Sequence, residues 1–237
     1  MDYFIDWCCR LPLRICAERF PWDTIQAMET LNERDHISHF CMMPEFDPRE
    51  GSIGLFQLRL DRAADLLREH LPRHLKIKIV PRAYLTEGLW RTEGLHRLLF
   101  TRNRYLPLQL PLSEYEQWMD TELNRLLYTQ KYRILFTSCE MFREFYSKEI
   151  ADKLFRIPRA AYQFNFRSLT DDVAAKDVSI LLSRGQTVLL GTGLTTSGKI
   201  WQYDFSYYQE TATKKLSVAD YQKLLHQNRA FWMFPKR

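Results

Sequence analysis

Short apolar runs that read as strands alternate seven times with runs of helical period, and that alternation confines the chain to a parallel α/β architecture. The stretch Lys131–Arg143, KYRILFTSCEMFR, is the clearest instance. Tyr132 to Thr137 is apolar and aromatic and too brief for a core helix, so it predicts a buried strand. From Ser138 the pattern turns helical, over Glu140–Ile150. In an α/β sheet the residue leaving such a strand sits where chemistry is usually done, and here that residue is Ser138, followed by Cys139 and Glu140.

The other strands are expected at Tyr3–Cys8, Ile37–Met42, Lys76–Val80, Arg104–Leu110, Ala160–Phe166 and Thr187–Leu190. Between them lie a helix from Asp23 with a capping-box Gln26, and a helix carrying Leu60, Ala63, Ala64, Leu67 and Leu71. Further helices are expected behind Ser113 with Glu116, through Ala174–Leu182 ending at Gly185, and behind Ser217 with Asp220. Helix-to-strand links are short and strand-to-helix links are long, an elaboration of the carboxyl face that barrels show. No internal repeat, low-complexity tract or linker divides the chain, which predicts a single domain over 1–237.

Composition excludes several classes. With 46% hydrophobic and 27% charged residues the chain is ordinary for a globular protein. The net charge of +5 comes from basic residues that look scattered in sequence, which argues against nucleic-acid binding. No apolar run approaches the length of a membrane span. Charges at Asp2, Asp6, Arg10 and Arg14 leave no room for a signal-peptide apolar segment, and five cysteines without a CxxC pair read as reduced thiols; both point to the cytoplasm. Eight glycines, with no GxGxxG and no Walker sequence, argue against a nucleotide loop.

The order of segments FIDWCCRLP, ISHFCMMPEF, IKIVPRAYL, RYLPLQLPL, ILFTSCEMF and TVLLGTGLTT resembles the polymerase-and-histidinol-phosphatase (PHP) barrel. Within that family it is most similar to the bacterial capsule-biosynthesis tyrosine phosphatases. The resemblance implies a distorted TIM-like (β/α)7 barrel of parallel strands with outer helices. It also implies a family chemistry of two or three metals, Mn, Fe or Zn, held at the strand ends by His-x-His, Pro-His, Glu, His-Pro-Glu-Arg and Asp-x-His. This sequence departs at nearly every such position. The equivalents are Cys8 and Cys9, Glu45 after Pro44, Tyr84, Gln109, Ser138 through Glu140 to Met141, and Thr192 to Leu194. No resident metal or cofactor is therefore expected.

Glu45 with Cys9 makes only two donors, fewer than zinc sites use. Cys8 and Arg14 stand in a Cys-x5-Arg spacing, but the loop between them contains a proline and no glycine to curl round a phosphate. Cys139 beside Glu140 reads as a buried thiol, because a neighbouring carboxylate disfavours thiolate. Arg10, Arg14, Arg82 and Arg167 are expected near the barrel mouth, where they could hold an anion. Lys199–Tyr208, KIWQYDFSYY, places Trp201, Tyr203, Phe205 and Tyr207 at period two, as a strand or lid or as an aromatic platform. The reading that follows is a pseudophosphatase, a binding or regulatory partner in exopolysaccharide or tyrosine-phosphorylation machinery, engaging a tyrosine kinase or a phosphotyrosine-bearing peptide. The alternatives are an active phosphoesterase with rearranged ligands and a scaffold without a small ligand; oligomeric state stays open.

Overall fold

The computed structural model describes residues 4–9, 22–100, 104–192 and 204–233. Strands β1 (Phe4–Cys9), β2 (Ile37–Met42), β3 (Glu45–Phe46), β4 (Lys76–Ile79), β5 (Arg82–Tyr84), β6 (Tyr105–Gln109), β7 (Arg133–Phe136), β8 (Ala161–Asn165) and β9 (Thr187–Gly191) are joined mainly by helices. These are α1 (Trp22–Asp35), α2 (Ile53–His70), α3 (Gln117–Asn124), α4 (Phe142–Phe145), α5 (Lys148–Leu154) and α6 (Asp172–Ser183); α7 (Phe205–Lys215) and α8 (Val218–Met233) follow β9.

The ladders form two parallel sheets, in orders β1-β2-β4 and β3-β5-β6-β7-β8-β9. They are one surface with two joints. Pro44 interrupts the run from β2 into β3 and Pro81 the run from β4 into β5, since proline brings no ladder donor. Across the joints Val80 N–H donates to Met42 O (2.9 Å) and Arg82 N–H to Pro44 O (2.9 Å), so register is kept. Seven strand runs in sequence order, all parallel, give the TIM-like arrangement that the resemblance implies.

Among the described residues no ladder joins β9 to β1, yet the β9 edge is not bare. Three alternate N–H groups on that edge are met by side chains. Val188 N–H donates to Gln227 Oε1 (3.0 Å) and Leu190 N–H to Asn228 Oδ1 (3.0 Å), both from α8. Thr192 N–H donates to Asp6 Oδ1 (2.7 Å), from β1. Two amides and one carboxylate thus stand where a neighbouring strand's carbonyls would be, which answers the edge-strand problem without closing the ladder.

The core divides by strand parity into two faces. Phe40, Met42, Ile134, Phe136, Tyr162 and Leu190 lie on the convex face, under the helices. Cys41, Val80, Tyr105, Leu135, Ala161 and Leu189 form a second, concave cluster. Phe231 of α8 seals its lower end against Phe100 and Tyr105, at ring separations of 5.4 and 5.2 Å.

Several expectations need correction. The helical run at Glu140–Ile150 is a 3-10 turn, α4 and α5, broken at Tyr146 where Ser147 caps a new helix. Ser113 does not cap α3: the helix begins at Gln117, and the Ser113 hydroxyl turns to Glu114 O. The period-two reading of Lys199–Tyr208 fails from Asp204 onward. Asp204 caps α7, which buries Phe205 and exposes Tyr207 on a helix, not a strand. An internal repeat is present after all. Thr86–Arg91 and Thr92–Arg97 read TEGLWR and TEGLHR, each a 3-10 turn entered through a left-handed glycine (Gly88 φ 81°, Gly94 φ 78°). Leu89 and Leu95 plug the core from equivalent positions. Among the described residues, no helix is long and apolar enough to cross a membrane.

Candidate functional site

Because every strand is parallel, all strand-to-helix turns lie on one face, and the concave side chains near it must meet. Parity places Glu45, Arg82, Gln109, Thr137 and Gln163 there, one or two steps above the apolar cluster. They form a hydrogen-bonded belt. Arg82, 4% exposed, pairs with Glu45 at 2.8 Å and donates through Nη1 to Gln109 Oε1 at 3.2 Å. Thr137 Oγ1 donates to the same amide oxygen at 3.1 Å, and Gln109 Nε2 donates to Leu110 O at 3.0 Å.

A second arc continues the belt. Ser138 N–H donates to Gln163 Oε1 (2.9 Å), and Gln163 Nε2 donates to Phe164 O (2.8 Å) and Asn165 Oδ1 (3.3 Å). Asn165 in turn donates its N–H to Glu140 Oε2 at 3.0 Å and its side-chain amide to Glu140 Oε1. At the seam Asp6, wholly buried, accepts from both Thr192 N–H and Thr192 Oγ1 (2.5 Å).

Two buried donors in this belt have no hydrogen-bond partner among the described residues: Arg82 Nε and the Ser138 hydroxyl. Ser138 is also held at φ 55°, ψ 46°, a left-handed conformation that costs a non-glycine residue of order 1 kcal/mol or more. Strain and an unmet polar atom coincide at Ser138, the strand end that the sequence singles out. Tyr84 lies under the guanidinium of Arg49, 5.2 Å from its ring centre, and partial burial raises its phenol pKa.

Of the expected site residues, the structure joins Glu45, Arg82 and Gln109 in one network and Ser138, through Gln163 and Asn165, with Glu140 in the other. Thr192 belongs to the seam. Arg167 is exposed in the turn after β8 and makes no described contact with Arg82. Arg10, Arg14, Leu194, Trp201, Tyr203 and the side chain of Cys9 lie outside the described residues. Sequence reasoning missed Asp6, Gln163 and Asn165. Each is a polar residue inside an otherwise apolar strand (FIDWCC, AYQFN), and that is the signal that could have found them.

The described tip residues do not fit a multinuclear metal centre. A guanidinium stands among them, the amide oxygen of Gln109 already accepts twice, and each carboxylate present, Asp6, Glu45 or Glu140, is taken by protein donors. Among the described residues no group of three or more His, Cys, Asp or Glu could hold a metal ion. A cleft of about 880 Å³ lies between α4, α5 and α6, with Glu140 of the belt on its wall. Its main cation, Arg143, is gripped by Asp177 (2.6 and 2.8 Å) and Asp152 (2.8 Å).

Cys139 is fully buried, its thiol against Phe136 O at 3.3 Å; burial, with Glu140 second, pushes its pKa well up. Native protein exposed to iodoacetamide near pH ~8 should leave Cys139 unlabelled while denatured protein labels it. Mass spectrometry of the alkylated peptide reads this out, and native labelling at a free-thiol rate would restore a nucleophile.

No family model matches the sequence, and no curated protein does. Among solved structures the chain is similar to one described as "Crystal structures of YwqE from Bacillus subtilis and CpsB from Streptococcus pneumoniae, unique metal-dependent tyrosine phosphatases". The TM-score is 0.61 at 15% identity, over 95% of each chain. At that identity the likeness establishes the fold: this chain has the parallel, helix-wrapped α/β architecture of those phosphatases.

Proposed function

We propose that this chain is a catalytically degenerate phosphatase homologue that uses the carboxyl face of its barrel to bind rather than to hydrolyse. The observation that carries the reading is the side-chain belt. Amides and a guanidinium cross-link the strand tips where a phosphatase of this fold would place metal ligands. The belt holds the tips together mechanically, and its two unmet donors, Arg82 Nε and Ser138 Oγ, enclosed as they stand, suit an oxyanion such as a phosphate monoester once the tips part to admit it. The partner class is then a phosphotyrosine-bearing peptide or the kinase that makes it, in tyrosine-phosphorylation control or capsular polysaccharide biosynthesis.

The competing reading, a metal-dependent hydrolase with rearranged ligands, draws on the carboxylates of Asp6, Glu45 and Glu140. It requires them to leave the partners they already have.

The purified chain separates these readings. Expected are no stoichiometric Mn, Fe or Zn by elemental analysis and no hydrolysis of p-nitrophenyl phosphate with or without added Mn. Phosphotyrosine should raise the melting temperature, and Arg82→Met should abolish that rise while the variant still melts cooperatively. Near-stoichiometric metal with turnover would overturn the proposal. No shift with any small anion, together with a stable dimer, would favour a scaffold.

A further inference from the structure

The face opposite the belt carries a charge pattern that the sequence order hides. Parallel strands put every helix-to-strand connection on that one face. In the described parts of these connections every charged residue is basic: Arg73, Arg104, Lys131, Arg156, Arg159 and Arg184, with two histidines, His36 and His74, and no Asp or Glu. All eight are exposed. The described strand-to-helix segments are the reverse, with acids such as Asp47, Glu50, Glu87, Glu93, Glu114, Glu140 and Asp171 outnumbering basic residues such as Arg49, Arg91, Arg97 and Arg167. Scatter along the chain is segregation in space.

The basic residues are held in place at a cost. His36, Arg104, Lys131 and Arg159 each precede a strand by one or two residues at φ between 54° and 59°. Glycine is the natural occupant of that left-handed position, and the β9 connection uses it, at Gly185. Four strained positions that glycine would relieve are filled by basic side chains instead. Arg73, Lys131, Arg156, Arg159 and Arg184 make no ion pair with a described acid, so their charge is directed outward.

We propose that this basic end face docks on a membrane surface bearing anionic lipid headgroups. The charges come one or two per connection from connections spread around the rim of the barrel, so they cover a broad end face. A nucleic-acid duplex would reach only a strip of such a face, whereas a flat anionic bilayer meets all of it at once. This docking is independent of what the opposite face binds, and it would leave that face turned to solvent.

The test is co-sedimentation of the full chain with vesicles of phosphatidylcholine alone or mixed with phosphatidylglycerol. Binding is expected only to the anionic vesicles, and it should fall away as salt rises toward ~0.5 M. Removing three charges by Lys131→Gly, Arg159→Gly and Arg156→Gln should weaken it about a hundredfold, at about fivefold per charge. Because glycine suits two of these positions, that variant should melt no lower than the parent, which separates lost docking from lost folding. A control with the same net charge, Arg62→Gln, Lys148→Gln and Lys214→Gln, should bind nearly as the parent does. Three results would each overturn the proposal: no preference for anionic vesicles at low salt, equal weakening by the control, or equal or tighter binding to a DNA duplex with the same hundredfold loss. None of them bears on phosphotyrosine binding at the strand tips.

Discussion

Alanine in place of Tyr162 should lower the unfolding free energy by about 4 kcal/mol. Tyr162 is wholly buried on β8, stacked near-parallel on Phe136 (5.7 Å between ring centres) and edge-on to Phe155 (5.6 Å). Its hydroxyl donates to Leu154 O at 2.8 Å, a carbonyl at the end of α5 that also accepts from Ile157 N–H at 3.2 Å. Truncation therefore empties a ring-sized volume between sheet and helix and removes one of the two donors to that carbonyl. Tyr162→Phe keeps the ring and should cost about 1 kcal/mol, the share of the hydrogen bond alone. Urea unfolding of the two variants separates the terms; losses of similar size would mean that the ring packing contributes little.

Asp6→Ala should cost about 3 kcal/mol, because it removes a charged acceptor from two buried donors of Thr192. The loss is local to the seam between first and last strands, so hydrogen exchange at Thr192 and along β9 should accelerate before exchange in β6 or β7. A double-mutant cycle with Thr192→Val isolates the side-chain bond, with a coupling of about 1–2 kcal/mol expected. Independent effects would show that Asp6 serves some other contact.

The sequence told most where one physical signal stood alone. Apolar runs of strand length located Thr187–Gly191 and Ala161–Asn165 to within a residue or so, because a buried parallel strand tolerates little else. The left-handed turn at Gly185 was legible because glycine is the residue such a position prefers. Reading failed where two signals competed. The run after Ser138 has helical spacing throughout, yet Ser147 offers its hydroxyl to Ile150 N–H and starts a fresh helix there. Tyrosines at 203 and 207 alternate as in a strand, but Asp204 caps a helix between them.

The site was legible by position and not by role. The family resemblance pointed to Glu45 and Gln109, and the end of a buried strand to Ser138 with Glu140 close by; the belt includes all four. That Gln163 lies between Ser138 and Asn165 depends on the pairing of β7 with β8, which no local pattern reports. The basic end face was invisible for the same reason: its residues come from connections far apart in the chain and meet only through topology.

The seam has a consequence for synthesis on the ribosome. Residues 218–233 are the last described segment to emerge, yet they supply Gln227 and Asn228 to the β9 edge and Phe231 to the base of the barrel. A nascent chain that has already paired β8 with β9 holds an uncovered, donor-rich strand until that helix clears the exit tunnel. Completion of the fold must wait until residues 218–233 have emerged, and a truncation before Val218 should yield a sticky product in place of a smaller barrel.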